Sequence, residues 1–262
     1  MPQAERVTAA VLIIGDEILS GRTQDTNLNF IAKQLGLHGV DLAEARVVGD
    51  VKGEIIAALN ALRGRYDYVI TTGGIGPTHD DITAECVAEA FGVPLLEHPE
   101  ILAMMAARWG DQLNAARRRM ARVPEGGTLV KNTVQGPPGF SIGNVFVLAG
   151  VPMIMRGMLE DVITRLRSGH VVISRTVRVE GAGEGAIAAP LETLAKSHPD
   201  LALGSYPFFG EAGYGSNLVV RGRDQAEVEV TVEELVAALS GIGARSVTRV
   251  EADVRPDEVK AF

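Results

Sequence analysis

The sequence predicts an α/β protein. Residues 1–168 read as a sheet covered by helices on both faces, 170–250 as a smaller α+β domain, and 251–262 as a charged tail. Three observations predict this. Apolar runs alternate with segments of helical spacing through the first two-thirds of the chain, the pattern of a buried parallel sheet. Glycines and acidic residues follow the apolar runs at their carboxyl ends. From His170 onward the rhythm changes to strand, helix, strand, strand, helix.

Thr8 to Ile14 is a continuous apolar run that ends at Gly15-Asp16-Glu17, a buried strand followed by a loop. Leu28, Ile31, Ala32 and Leu35 then recur at helical spacing, with Asp25 or Thr26 as cap and Gly36 and Gly39 at the end. A strand over Leu42 to Val48 leads through Gly49-Asp50 into a helix carrying Ile55, Ile56, Leu59 and Leu62. Tyr66 to Thr72 is a third strand, followed by a glycine loop and a helix over Ile82 to Phe91. Residues 98–122 read as two helices broken near Gly110. Thr128 to Lys131 reads as a strand, Gly136-Pro137-Pro138-Gly139 as a loop, and Ser141 to Leu148 as a strand or hairpin. Pro152 opens a helix that runs to Arg167, placed where its missing N–H costs little. Beyond it, Val171 to Val179 is a strand and Glu184 to Lys196 a helix. Leu201 to Phe208 and Leu218 to Arg221 are strands around a glycine-rich stretch, and Ala226 to Leu239 is a strand passing into a helix.

Composition narrows the function. The formal net charge is −8, against the basic surface that neutralises nucleic-acid phosphates. No apolar run approaches the roughly 18–20 residues that span a bilayer. The N-terminus lacks the pattern of a secretory signal, and Cys86 is the only cysteine, so a reducing cytoplasm is expected.

The chemistry concentrates in Thr71-Thr72-Gly73-Gly74-Ile75-Gly76-Pro77-Thr78-His79-Asp80-Asp81. A buried strand, a glycine turn and a helix start make an anion site: glycine admits close approach, and the helix offers unpaired N–H groups. Thr72, Thr78 and Thr83 are candidate hydroxyl donors. The loop is neither the dinucleotide fingerprint nor the P-loop. The alternative is that Gly73, Gly74 and Gly76 only turn the chain and Asp80 or Asp81 only caps the helix. Acidic side chains beside a phosphate site favour an intervening cation such as Mg²⁺. Asp16 and Glu17 follow the first strand and Asp50 the second, so three strand ends bring carboxylates to one edge, where open sheets bind ligands. A Cβ at Gly74 is expected to intrude on that ligand space.

Gly15-Asp16-Glu17-Ile18-Leu19-Ser20-Gly21, Thr72 through Thr83, and Ala149-Gly150-Val151-Pro152 resemble the N-terminal domain of competence/damage-inducible protein A (CinA), within the molybdopterin-binding superfamily that includes MoaB and MogA. The resemblance covers residues 7–168. It implies a three-layer α/β/α fold and a pocket for a phosphorylated pterin or nucleotide. The segment after 170 resembles the small KH-like domain of the same proteins. The nicotinamide-mononucleotide deamidase domain of full-length members is expected to be absent. By motif, Asp50 and Asp81 match aspartates implicated in catalysis in adenylylating members. Related domains are linked to metal-dependent cleavage of ADP-ribose or FAD. Two departures bear on the pocket: Ala149-Gly150 where relatives carry Pro-Gly, and a Pro in place of the Ala that often precedes Pro138-Gly139.

The leading expectation is a metal-dependent pyrophosphatase. Asp50, Asp81 and Asp16 would hold Mg, Mn or Co. Gly15, Glu17, Gly73, Gly74, Gly76, His79, Asp80, Gly150 and Pro152 would contact a phosphorylated small molecule, with the three threonines above. The alternative is a molybdopterin-binding protein that holds its ligand or transfers an adenylyl group to it. A homo-oligomer is expected, without nucleic acid or membrane. Arg117, Arg118, Arg119 and Arg122 form a basic cluster, read as a solvated face or as a contact to ligand or neighbouring subunit. Met153, Met155 and Met158 read as packing, and Cys86 as core. Gly210-Glu211-Ala212-Gly213 has the spacing of a KH clamp but carries an acidic residue.

Overall fold

Strand β1 (Val7–Ile14) shows how the first unit is layered. Its side chains alternate between two apolar clusters, as a period-2 strand must when both faces are covered. Val7, Ala9, Val11 and Ile13 join one cluster, and Ala10, Leu12 and Ile14 the other. In the computed structural model, which describes residues 6–210 and 213–250, the chain divides into two units, Met1–His170 and Val171–Phe262.

After β1 come α1 (Asp16–Leu19), α2 (Asn27–Leu37), β2 (Val40–Val48), α3 (Lys52–Arg63), β3 (Tyr68–Thr72), α4 (Thr83–Phe91), β4 (Leu95–Glu97) and α5 (Pro99–Trp109). A 3-10 turn at Gly110–Gln112 precedes α6 (Ala115–Arg118), and a second at Arg119–Ala121 leads into β5 (Arg122–Pro124). The unit closes with β6 (Thr128–Val130), β7 (Gly139–Ile142), β8 (Val145–Leu148) and α7 (Pro152–Ile163). The main sheet runs β2-β1-β3-β8-β7-β6. β2, β1, β3 and β8 are parallel, and β7 is antiparallel to both its neighbours. Ile31 and Leu35 of α2 and Met155, Leu159 and Val162 of α7 cover one face. Ile55, Leu59 and Leu62 of α3, Val87 of α4, and Ile101 and Met105 of α5 cover the other. The result is three α/β/α layers.

Several elements differ from expectation. α7 ends at Ile163 rather than Arg167, because Thr164 turns its hydroxyl back to the Asp161 carbonyl and the chain leaves in a tight turn. The sheet is mixed rather than wholly parallel, since the Ser141 region forms a hairpin, β7–β8. β4 and β5 pair as a separate ribbon.

The second unit contains β9 (Ile173–Glu180), α8 (Glu184–Ser197), β10 (Ala202–Gly210), β11 (Gly213–Gly222), α9 (Gln225–Leu239) and β12 (Ser246–Val250). Its antiparallel sheet runs β10-β11-β9-β12. Val177, Val179, Leu218 and Val220 pack with Ile187 of α8 and with Val228, Val232 and Leu235 of α9. Residues 225–239 are one helix, not a strand passing into a helix. The β-branched run is real, but Val228, Thr231, Val232, Leu235 and Leu239 share one buried face, and Asp224 caps the start by accepting from Ala226 and Glu227 N–H. Gly210 pairs with Gly213 at the end of the β10–β11 ladder. Glu211 and Ala212, within the Gly-x-x-Gly spacing, and the tail 251–262 lie outside the described residues.

Candidate ligand-binding site at the carboxyl edge of the sheet

Four parallel strands end together. Ile14 pairs with Val48, Ile13 with Thr72, and Thr72 with Leu148. The loops beginning at Gly15, Gly49, Gly73 and Ala149 therefore leave the sheet at one edge. Backbone bonds continue the alignment past the strands: Gly15 N–H to Val48 O at 3.1 Å, and Gly73 N–H to Leu148 O at 3.2 Å. Asn27 of α2 ties the last loop by donating from Nδ2 to Gly150 O at 2.8 Å.

The glycine turn is shaped by packing on its inner side. Gly73 has φ +102°, and a Cβ there would stand 2.1 Å from Ile14 O. Gly74 has φ +67°, and its Cβ would stand 2.1 Å from Thr83 Oγ1. Thr83 is fully buried; its hydroxyl donates to Gly73 O at 2.9 Å and its N–H to Gly74 O at 3.0 Å. A Cβ at Gly74 thus collides with α4 rather than with the ligand space, contrary to expectation. Thr83 is a clamp on the loop, not a ligand donor. The outer side of the turn differs: the N–H groups of Gly74, Ile75 and Gly76 donate no hydrogen bond among the described residues.

The carboxylates divide into two sets. Asp16 N–H donates to Asp50 Oδ2 at 3.0 Å, and Asp50 N–H to Asp16 Oδ1 at 3.3 Å. Burial raises the Asp50 carboxyl above the ordinary range, and the neighbouring Asp16, Glu17 and Asp80 raise it further, against the backbone bond from Asp16. Asp81 instead closes its own turn, accepting from Thr78 N–H at 2.8 Å and from the Thr78 hydroxyl. Asp81 therefore closes its own turn and does not cap α4. Among the described residues no group of three His, Cys, Asp or Glu side chains is placed to hold a metal ion. The expected trio of Asp16, Asp50 and Asp81 is not assembled. The Asp16–Asp50 pair is present, and one or two carboxylates beside phosphate oxygens are the set Mg²⁺ commonly takes.

Between the loops lies a cavity of about 550 Å³, within the range of small-molecule sites. Gly15, Glu17, Asp50, Gly73, Gly74 and Gly76 line it. So do Asp80, Asp81, Gly150 and Pro152. Asp16 and Thr78 act beside it through Asp50 and Asp81. Thr72 is buried in the sheet. The His79 side chain is 96% exposed, 3.9 Å from Asp80, and outside the lining. Both departures from the family motif, the proline loop at Pro137-Pro138 and Ala149-Gly150, form part of the wall.

Sequence reasoning missed the apolar part of the lining, which Phe140, Met158, Ile154 and Val123 supply. Arg119 and Arg122, read from sequence as a solvated face or a ligand or subunit contact, also line the cavity. Met158 was legible only as a packing residue; its sulfur accepts from Ala149 N–H at 3.4 Å beneath the loop. The basic cluster splits. Arg118 pairs with Glu97 at the surface, whereas Arg119 reaches from Nη2 to Asp81 O at 3.3 Å. The three-residue spacing of Arg119 and Arg122 was the available signal.

Residues 10–168 match the family described as a probable molybdopterin binding domain. Residues 171–247 match the middle domain of FAD synthase. A CinA-like protein of Gemmatimonas aurantiaca is 37% identical over 212 residues, which cover 75% of this chain and 50% of that protein. A protein of Archaeoglobus fulgidus is 32% identical over 235 residues, 88% of this chain and 97% of its own length. The chain spans about half the length of the CinA-like relatives it matches. The crystal structure of the protein CinA from Thermoplasma acidophilum, described there as of unknown function, aligns with a TM-score of 0.57 at 34% identity, covering 61% of this chain and 98% of that one. The molybdopterin-binding match coincides with the unit that holds the glycine loop and the cavity, and the chain belongs to the molybdopterin-binding domain family as a CinA-like member.

Proposed function

We propose that the first unit binds a phosphorylated ligand with an apolar ring system, a pterin or a nucleotide, in this cavity. One observation carries the reading. Gly74, Ile75 and Gly76 line the cavity, and their consecutive N–H groups have no acceptor among the described residues. A run of unpaired backbone amides beside a cavity is suited to receive phosphate oxygens. Phe140, Met158 and Val123 offer the apolar surface a ring would occupy. Such a mixture, apolar walls with a few placed polar groups, is the usual build of a small-molecule site.

The reaction we propose is hydrolysis of a pyrophosphate bond in a dinucleotide of the ADP-ribose or FAD kind. Asp16 and Asp50 would hold a divalent cation, Mg, Mn or Co, which supplies neutralisation of phosphate charge. The glycine-loop amides hold phosphate oxygens in place without reorganising. Asp81 lines the same cavity with its carboxylate fixed by Thr78, a rigid acceptor for a water molecule. The second reading is a molybdopterin-binding protein, with or without adenylyl transfer, and the family match over residues 10–168 favours it.

Incubation of the chain with ADP-ribose, FAD and ATP, with and without divalent metal, tests the first reading. Hydrolysis is expected to vanish with chelator and return with Mg²⁺, Mn²⁺ or Co²⁺. Undiminished turnover after complete metal removal contradicts the cation assignment. Binding without turnover of any substrate leaves the second reading in its place.

A further inference from the structure

The cavity lining carries charge of both signs. Glu17, Asp50, Asp80 and Asp81 come from the loops after β1, β2 and β3, and Arg119 and Arg122 come from the segment that leads into β5. The two arginines come from different elements, a 3-10 turn and the start of β5, yet line one space. Neither forms an ion pair among the described residues, although their neighbour Arg118 does with Glu97. The Nε atoms of both are buried and lack a hydrogen-bond partner. Buried donors of a charged group are normally satisfied, and a guanidinium suits the paired oxygens of a phosphate.

The position of Arg119 restricts what that anion is. Its Nη2 lies 3.3 Å from Asp81 O, so the positive charge stands at the Thr78–Asp81 turn, which directly follows the glycine loop in the chain and lines the same cavity. A phosphate far along a ligand would not meet it. An adjacent phosphoryl of the same ligand would.

We propose that Arg119 and Arg122 receive the second phosphoryl group of a diphosphate whose first phosphoryl rests on the Gly74–Gly76 amides, and that they make the site selective for diphosphate over monophosphate ligands. This rests on the ligand site proposed above. The two residues read the ligand; the ring is read elsewhere, by the apolar wall.

Calorimetric titration of the full chain with ADP, AMP, inorganic pyrophosphate and orthophosphate, in millimolar Mg²⁺, tests it. Pyrophosphate serves as the probe without a ring, in case the ring pocket refuses adenine. ADP should bind at least about tenfold more tightly than AMP, or pyrophosphate than orthophosphate, as expected of two charge-assisted contacts. Arg119→Gln with Arg122→Gln should abolish that preference while changing AMP or orthophosphate affinity less than about threefold. Arg119→Lys alone, which keeps charge but not the paired donors, should fall between. Thermal melting of each variant checks folding, and Arg122→Gln alone serves if the double variant does not fold. A wild-type protein that binds without preferring the diphosphate, or a preference that survives both substitutions, overturns the assignment and leaves the ligand site standing. No binding of any of the four probes to the wild type overturns the ligand site and this assignment together.

Discussion

Gly74 separates two jobs that look alike in a sequence. The Thr-Gly-Gly run announces a turn that needs φ > 0 and a close approach, and both are present. What approaches is the Thr83 side chain, 2.1 Å from where a Cβ would stand. A contact nine residues away in sequence is set by how α4 docks, and local pattern does not encode it. Gly74→Ala should therefore destabilise the ligand-free protein by about 2–4 kcal/mol, joining left-handed strain of about 1 kcal/mol to overpacking of about 1–3 kcal/mol. Thermal melting without ligand checks this; an unchanged melting temperature contradicts the clamp. Cys86 was legible as core from its apolar neighbours on α4. Burial pushes its thiol up to about 11. It should resist alkylation at neutral pH in the folded state and react on unfolding. The folded thiol keeps its proton past the pH at which the unfolded thiol ionises. Its contribution to stability is full below the unfolded value and is lost as pH rises through the folded one. A denaturant series across that alkaline window should show the decline, and a Cys86→Ala variant should not share it.

At the scale of elements, the ends of β1, β2 and β3 that feed the site were read to the residue, because each gives way to a glycine, while the starts of β2 and β3 were read two residues off. β12 was not read. Its Thr248 and Arg249 are exposed, so the edge strand lacks the alternation that marks a half-buried one. β4 and β5, at three residues each, are too short to show a period. The opening of the sheet is pinned by Asp67, just before β3. It accepts from Thr8 N–H and the Thr8 hydroxyl, both at 2.8 Å, and from Arg167 at 3.0 Å. The Thr8 N–H bond is the foremost cause that holds its carboxyl below the ordinary range. Asp67→Ala should cost about 1–3 kcal/mol near neutral pH, since it leaves the Thr8 N–H unsatisfied. A depressed carboxyl contributes stability above its unfolded pKa and loses it as pH falls through the folded one. The gap between wild type and variant should shrink in acid. Urea unfolding of both proteins at neutral and acid pH checks the sign; a gap that widens in acid contradicts it.

Across the whole molecule, the acidic balance fits the proposed small-anion ligand better than a polyanion. The net charge is −8, and the arginines that meet the cavity are two against four carboxylates in its lining. Among the described residues no helix is long and apolar enough to cross a membrane. Single-stranded RNA should bind no tighter than non-specific affinity, roughly 10⁻⁴ to 10⁻⁶ M at physiological salt; a salt-resistant, sequence-selective complex contradicts this. The acidic edge and the glycine loop that line the cavity were legible in the sequence, because strand ends and turn residues are local. The rest of its lining includes side chains between residues 119 and 158, whose apolar and basic character resembles ordinary surface and core until the fold brings them to the same cavity. The central claim is that the Gly74, Ile75 and Gly76 amides receive phosphate. The direct measurement is a titration of the isotopically labelled full chain with ADP and with inorganic pyrophosphate, followed by amide NMR. The account predicts that the largest, saturable shifts fall on the N–H groups of Gly74, Ile75 and Gly76. Saturable binding that leaves those three resonances in place while others move would contradict it.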